Sequence, residues 1–154
     1  MRAKLKAGIG FVIVSLFICQ FAAAETSRQA EIAKAEGEVN VKLAGEDWKP
    51  AEPGMILGEQ DELRTSEDSS AELLLDNGDV GKVEVREKSY FKVHTMNMDP
   101  ETGDKTTLLD LAMGKVLIHA GKLQGESKFE VRTPTATTGV RGTVFEVSVE
   151  EKKK

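Results

Sequence analysis

Phe129-Glu130-Val131-Arg132-Thr133-Pro134-Thr135-Ala136-Thr137-Thr138-Gly139-Val140-Arg141-Gly142-Thr143-Val144-Phe145-Glu146-Val147-Ser148-Val149-Glu150 reads as strand, corner, strand. Phe129 and Val131 alternate with Glu130 and Arg132, a period of two that places apolar groups on one face. Pro134 has no N–H and fixes its own φ, so pairing is expected to stop there, and Thr133 before it is biased toward extended geometry. Gly139 and Gly142 bracket Val140-Arg141, the spacing of a chain that turns sharply or meets another backbone. Alternation then resumes, with Thr143, Phe145, Val147 and Val149 inward and Val144, Glu146, Ser148 and Glu150 outward. Arg141 stands at the tightest point, where a guanidinium forks onto carbonyls or a carboxylate. It reads as a structural pin in the corner; the sharper alternative is an anion or ligand contact.

Working outward, residues 30–150 form a succession of short alternating segments divided by turn signals, which is all-β patterning. Val39, Val41 and Leu43 alternate with Asn40 and Lys42. Ala71 to Leu75 is a strand whose Leu73-Leu74-Leu75 run suggests burial on both faces. Asp76-Asn77-Gly78-Asp79 is a hairpin signal, because Asn-Gly takes positive φ readily. Val80, Val83 and Val85 continue on the return side, with Gly81 as a candidate bulge. Tyr90 to Met96 places Phe91, Val93 and Thr95 on one side. Met113-Gly114 reads as a turn between two further strands, and 121–125 as a joint before a closing hairpin. The expectation is one all-β domain of about ten short strands, wound as a β-sandwich or a short β-solenoid.

The first 24 residues are of a different kind. Arg2, Lys4 and Lys6 open the chain, residues 7–21 are almost wholly apolar, and Ala22-Ala23-Ala24 supplies small residues. This is the pattern of a cleavable signal peptide, 1–24, ending before Glu25. A loose lead-in over 25–29, the β domain over 30–150 and a charged tail over 151–154 complete the division. Export implies a periplasmic or secreted protein with no stable membrane insertion after cleavage. Cleavage removes Cys19, the single cysteine, and with it disulfide, thiolate and cysteine-ligand chemistry. The formal net charge is −5, and loss of the three leader cations makes it more negative. Such a balance is a poor match for nucleic acid, whose phosphates reward clustered Lys and Arg.

The remaining residues offer little catalysis. There is no Gly-x-Ser-x-Gly elbow and no phosphate loop, and acids on alternating strands normally form the wet face of a sheet. The loop from Asn97 to Asp104 has alternating oxygen ligands, but its glycine is misplaced for calcium and Pro100 stiffens it. His94 and His119 belong to no metal-spaced pair. No cofactor and no metal is expected. Trp48, the single tryptophan, reads as a lid on the core beside a turn; the alternative is a sugar platform shared with Tyr90.

The run Thr133 to Val147, TPTATTGVRGTVFEV, resembles the closing signature of the FecR domain, an extracytoplasmic bacterial module. Trp48, Gly58 to Thr65, Ser70 to Gly78 and Leu111 to Val116 resemble upstream pieces in order. The resemblance marks Trp48, Thr133, Pro134, Gly139, Arg141, Gly142 and Thr143 as candidate binding or structural residues. It implies an interaction module. Full-length members resemble relays, with a cytoplasmic segment that controls a sigma factor, one membrane helix and a periplasmic sensor of an outer-membrane receptor. This chain departs from that plan before the apolar run and after the closing strand, so the β module carries over and the relay does not. The expected role is binding of an envelope protein or cell-wall polymer, without catalysis; a carbohydrate-binding module is the alternative.

Overall fold

The computed structural model describes residues 28–140, 142 and 144–150. The expected leader, most of the lead-in, Arg141, Thr143 and the tail lie outside them. Twelve strands follow in order: β1 (Ala30–Glu36), β2 (Val39–Lys42), β3 (Lys49–Pro50), β4 (Ile56–Leu57), β5 (Glu62–Thr65), β6 (Ser70–Leu75), β7 (Gly81–Val85), β8 (Tyr90–Met98), β9 (Lys105–Ala120), β10 (Lys128–Arg132), β11 (Thr137–Val140) and β12 (Val144–Val149). One 3-10 turn, Asp76–Gly78, joins β6 to β7, and no α-helix occurs among the described residues. None of their segments is a helix long and apolar enough to cross a membrane.

The strands make one curled sheet, ordered β3-β2-β5-β8-β9-β7-β6-β1-β4, with β10, β11 and β12 joined through β9. The long strand β9 belongs to both halves. Its first part pairs with β8 and, in parallel, with β10; from Gly114 onward it pairs with β7 and β12. Every other pairing is antiparallel. The result is a sandwich made by folding one sheet over. A solenoid would stack parallel coils, so of the two architectures expected from sequence the sandwich is the one present.

Alternation explains why these segments are strands and which face each buries. Leu63, Leu73, Leu75, Val83, Val93, Leu109 and Ile118 are fully buried, and Phe91 and Phe129 are 1% exposed. Their intervening neighbours Glu62, Glu72, Glu84 and Lys92 keep partial access to solvent. Each fully buried Leu, Ile or Phe contributes roughly 1.5–3 kcal/mol relative to exposure. One contiguous core results, with no second cluster among the described residues.

Four bends lie in a row where the chain crosses from one half to the other: at Gly37, over Ser66–Ser69, over Arg86–Ser89, and at Gly114. Adjacent bends are tied to one another. Lys88 N–H donates to Ser66 O at 3.0 Å and Ser66 N–H to Glu38 O at 3.0 Å. Thr65 Oγ1 donates to Arg86 O at 2.6 Å and accepts from Ser89 N–H at 3.0 Å. Two serines do the same work on two rungs. Ser69 Oγ accepts from Glu38 N–H and donates to Glu67 O; Ser89 Oγ accepts from Lys115 N–H and donates to Glu87 O. Each faces a glycine at positive φ, Gly37 at 73° and Gly114 at 91°. Thr65-Ser66-Glu67-Asp68-Ser69 and Val85-Arg86-Glu87-Lys88-Ser89 are thus one corner used twice, with Asp68 and Lys88 both left-handed at φ 52° and 50°.

The opposite end is closed by Arg28. Its Nε donates to Asp76 Oδ2 at 2.8 Å, its Nη1 to Asn97 O at 2.9 Å and Thr106 O at 2.8 Å, and its Nη2 to Thr107 Oγ1 at 2.9 Å. One guanidinium therefore ties the β6–β7 hairpin to the β8–β9 hairpin. The side chain is only 3% exposed. Lys105 Nζ adds a second cation 3.1 Å from Asp76 Oδ2. Burial pushes the Asp76 carboxyl up, but the hydrogen bonds and charges of Arg28 and Lys105 together hold it below its ordinary value.

Several readings of the sequence are corrected. Arg28 and Gln29, the described part of the lead-in, are not loose, since Gln29 O also accepts from Asp76 N–H at 2.9 Å. Met113-Gly114 is a kink inside β9, because paired strands on both sides carry the chain straight through. The final segments do not form a single closing hairpin: β10 pairs with β11, while β12 returns to β9. Register shifts between Val93 and Thr95, so Met96, 4% exposed, turns inward in place of Thr95. Gly81 pairs in register with Leu75 and Ala120 and makes no bulge. Leu74 is half-buried where the leucine run suggested burial on both faces.

Candidate interaction surface

The closing segment divides into a hairpin and a return strand. Thr133 to Ala136 is the turn between β10 and β11. Thr133 N–H donates to Ala136 O at 2.8 Å, and Thr133 Oγ1 accepts from Ala136 N–H at 3.1 Å. Thr133 thus has a definite structural part, and Pro134 sits exposed in the turn, where its missing N–H costs nothing. Gly139 is not at a corner. It lies within β11, opposite Glu130, with φ outside the left-handed region. Gly142 does have positive φ, 61°, and is exposed. Arg141 and Thr143 lie outside the described residues. Phe145, Val147 and Val149 face the core and Val144, Glu146 and Ser148 face solvent, as the alternation implied.

Trp48 is not a lid on the core. Strands β2, β5 and β8 turn Asn40, Arg64 and Tyr90 to the outer side of the sheet, and the loop before β3 lays Trp48 against Arg64 and Tyr90. Arg64 Cζ stands 4.4 Å from the Trp48 ring centroid, a cation–π contact. Tyr90 meets the indole edge-on, with centroids 6.0 Å apart and planes at 70°. The guanidinium therefore covers one face of the indole. Tyr90 donates its hydroxyl to Glu62 Oε2. Partial burial first, then the Glu62 hydrogen bond and charge, push the phenol up to about 12. The chain has one tyrosine, so tyrosinate absorbance reports this residue alone. It should titrate near 12 in the folded protein, against about 10 in denaturant. A phenol raised on folding favours the native state below pH 10, and that contribution falls away as pH rises toward 12. A folded-state titration near 10 would contradict the contact.

Beyond β8 the same outer face carries a second cluster. Arg132 binds Asp110 bidentately, Nε to Oδ1 and Nη2 to Oδ2, both at 2.7 Å. His94 Nδ1 lies 2.9 Å from Arg132 Nη2 and 3.1 Å from Asp110 Oδ2. On the other half, Lys82 pairs with Glu72 at 3.3 Å and Glu84 at 2.9 Å, and Arg86 with Glu84 at 2.9 Å. His119 Nε2 is 3.3 Å from Glu84 Oε1. These acids are engaged with cations across strands, as on the solvated face of a sheet. The loop Asp99–Asp104 is the β8–β9 connection, and two of its three acids bind backbone: Asp99 Oδ1 accepts from Glu101 and Thr102 N–H, and Asp104 Oδ1 from Glu126 N–H. A shallow groove of about 640 Å³ crosses the bends, lined by Asp68, Arg86, Lys88, Lys115, Glu146 and Ser148.

The structure brings Thr133 and Pro134 into one turn and places Trp48 across β5 and β8, two strand spacings from β10. Sequence reasoning missed Arg28, Arg64, Asp110 and Arg132. Arg28 had no local signal, since its partners lie 48 to 79 residues away. Arg132 had one: it precedes the turn and alternates outward, where a cross-strand acid was to be expected. Set beside known proteins, the chain matches the family model described as FecR protein over residues 61–154, more than half its length. No curated protein and no solved structure matches it.

Proposed function

We propose a contact-based role in signalling for this chain, which belongs to the FecR family: a non-enzymatic domain outside the cytoplasm that binds an envelope protein. The observation that carries this reading is the family match over 61–154, which assigns a signalling-related regulator domain. The leader-like residues 1–24 support export. The solvated faces, with their acids and cations paired across strands, support a surface that recognises by shape and charge. Arg141, at the centre of the family signature, is the first residue to change.

The protein used as bait in envelope extract should retain one envelope protein at stoichiometric yield. Arg141→Ala is expected to lower Tm, in keeping with a pin at the bend. An Arg141→Ala protein that melts like the parent but no longer retains the partner would instead make Arg141 a recognition residue. Trp48 fluorescence should stay unchanged on titration with peptidoglycan fragments. Quenching there, with no protein retained, would overturn the reading.

A further inference from the structure

The sheet has four edges among the described residues, and three are guarded. β3 and β4 are two residues each, and β3 ends in Pro50, which has no N–H to offer. β11 is four residues with Gly139 inside it. Short strands, proline and glycine are ordinary means by which a sheet avoids pairing with other chains. β12 has none of these. It runs six residues in unbroken register along β9, without Pro, Gly or an inward charge. Nothing among the described residues pairs with its far side.

The core is also unfinished here. Phe145 and Val147 stand opposite Ile118 and Val116 of β9. The two β9 residues are fully buried, whereas Phe145, Val147 and Val149 are only half-buried. Val144, at the start of the strand, is 60% exposed.

We propose that β12 pairs antiparallel with β12 of a second copy of this chain, about a twofold axis through Val147. Opposed residues of a pleated antiparallel pair share a face, so the axis must pass through a residue and not between two. Through Val147 it sets Val147 against itself, Phe145 against Val149 and Glu146 against Ser148. Through Glu146 it sets two glutamates face to face; through Ser148 it sets Glu146 against Glu150. Like charges directly opposed destabilise a strand pair, so the sequence selects the first register. In that register the two half-open rows, Phe145, Val147 and Val149, cover each other. No like charges are opposed in this register, where Glu150 falls against Val144, and an isologous contact closes at two copies. This goes beyond the contact role proposed above and does not depend on the identity of that partner.

Six residues a side is well short of a standard interface, so the expected dissociation constant is weak, on the order of 0.1 mM. Sedimentation of the purified protein between about 10 μM and 1 mM should show a monomer–dimer equilibrium. Ser148 is exposed, so changing it leaves folding intact. Ser148→Glu opposes Glu146 twice per dimer and should weaken association roughly 2- to 30-fold. Ser148→Lys should tighten it by a similar factor, and the double variant Glu146→Lys/Ser148→Glu should restore it. Added salt should tighten the parent dimer, since two acidic chains then repel less. A protein that stays monomeric across the range, including one whose β12 accepts only another protein's strand, would overturn the proposal. So would a Ser148→Glu variant that associates as tightly as the parent.

Discussion

Arg28→Ala is expected to lower the free energy of unfolding by about 3–5 kcal/mol, the cost of breaking a buried ion pair while its partner stays buried. The loss follows from the geometry. Asp76 keeps only Lys105 and the Gln29 N–H, and the carbonyls of Asn97 and Thr106 and the hydroxyl of Thr107 lose a donor at once. For a domain of this size the melting temperature should fall by roughly 10 °C or more. Arg28→Lys should recover only a minor part, because one ammonium cannot fork across two hairpins. Arg28→Ala and Asp76→Ala should be less than additive, since they share one network. The pH dependence has a definite sign. A carboxyl held below its ordinary value binds its proton more weakly when folded than when unfolded. The Asp76 contribution is therefore complete above about pH 4 and is lost as pH falls through its lower native value. Denaturant melts from pH 7 to pH 2 should show the parent losing more stability than Arg28→Ala. Parallel losses would remove Arg28 from its assigned place.

Gly114→Ala should be nearly as costly, about 3 kcal/mol or more. Two effects add. The φ of 91° is a region that L side chains rarely adopt, and a Cβ there would fall 2.5 Å from Ser89 Cα and 2.6 Å from Ser89 Cβ. Truncating Ser89 to glycine would not relieve the first of these contacts, because it involves backbone. A suitable control is Gly45→Ala. Its φ is 82°, yet a Cβ there meets nothing within 4 Å, so only backbone strain remains, about 1–2 kcal/mol. Equal losses at Gly114 and Gly45 would show that β9 does not pass tightly over the Ser89 corner.

The contrast between those glycines also shows what the chain discloses on its face. Local pattern disclosed the strands, because inward and outward residues alternate within each: Val39 and Val41, Phe91 and Val93, Phe129 and Val131. It disclosed the β6–β7 and β8–β9 connections, because Asn77 and Pro100 act on their own neighbours. It could not disclose that β9 runs through Gly114, since positive φ marks a turn and a kink alike; only pairing on both sides of β9 separates them. The repeated corner was written in Glu67-Asp68-Ser69 and Glu87-Lys88-Ser89, but with too few shared letters to stand out as a period. Arg28 was hidden by distance along the chain, and Trp48 by ambiguity, since a tryptophan beside a turn packs on either face of a sheet. At the candidate surface, Thr133 and Pro134 fell where their chemistry implied, and Gly139 did not, because β11 continues the pairing that Pro134 interrupts.

One sheet, bent across β9, forms both halves of the sandwich. Residue-resolved amide hydrogen exchange in native conditions tests this most directly. The prediction is that buried β9 amides on both sides of Gly114, from Leu109 and Leu111 to Val116 and Ile118, exchange only through one global opening with a common free energy. Two halves of β9 opening independently, with separate free energies, would contradict it.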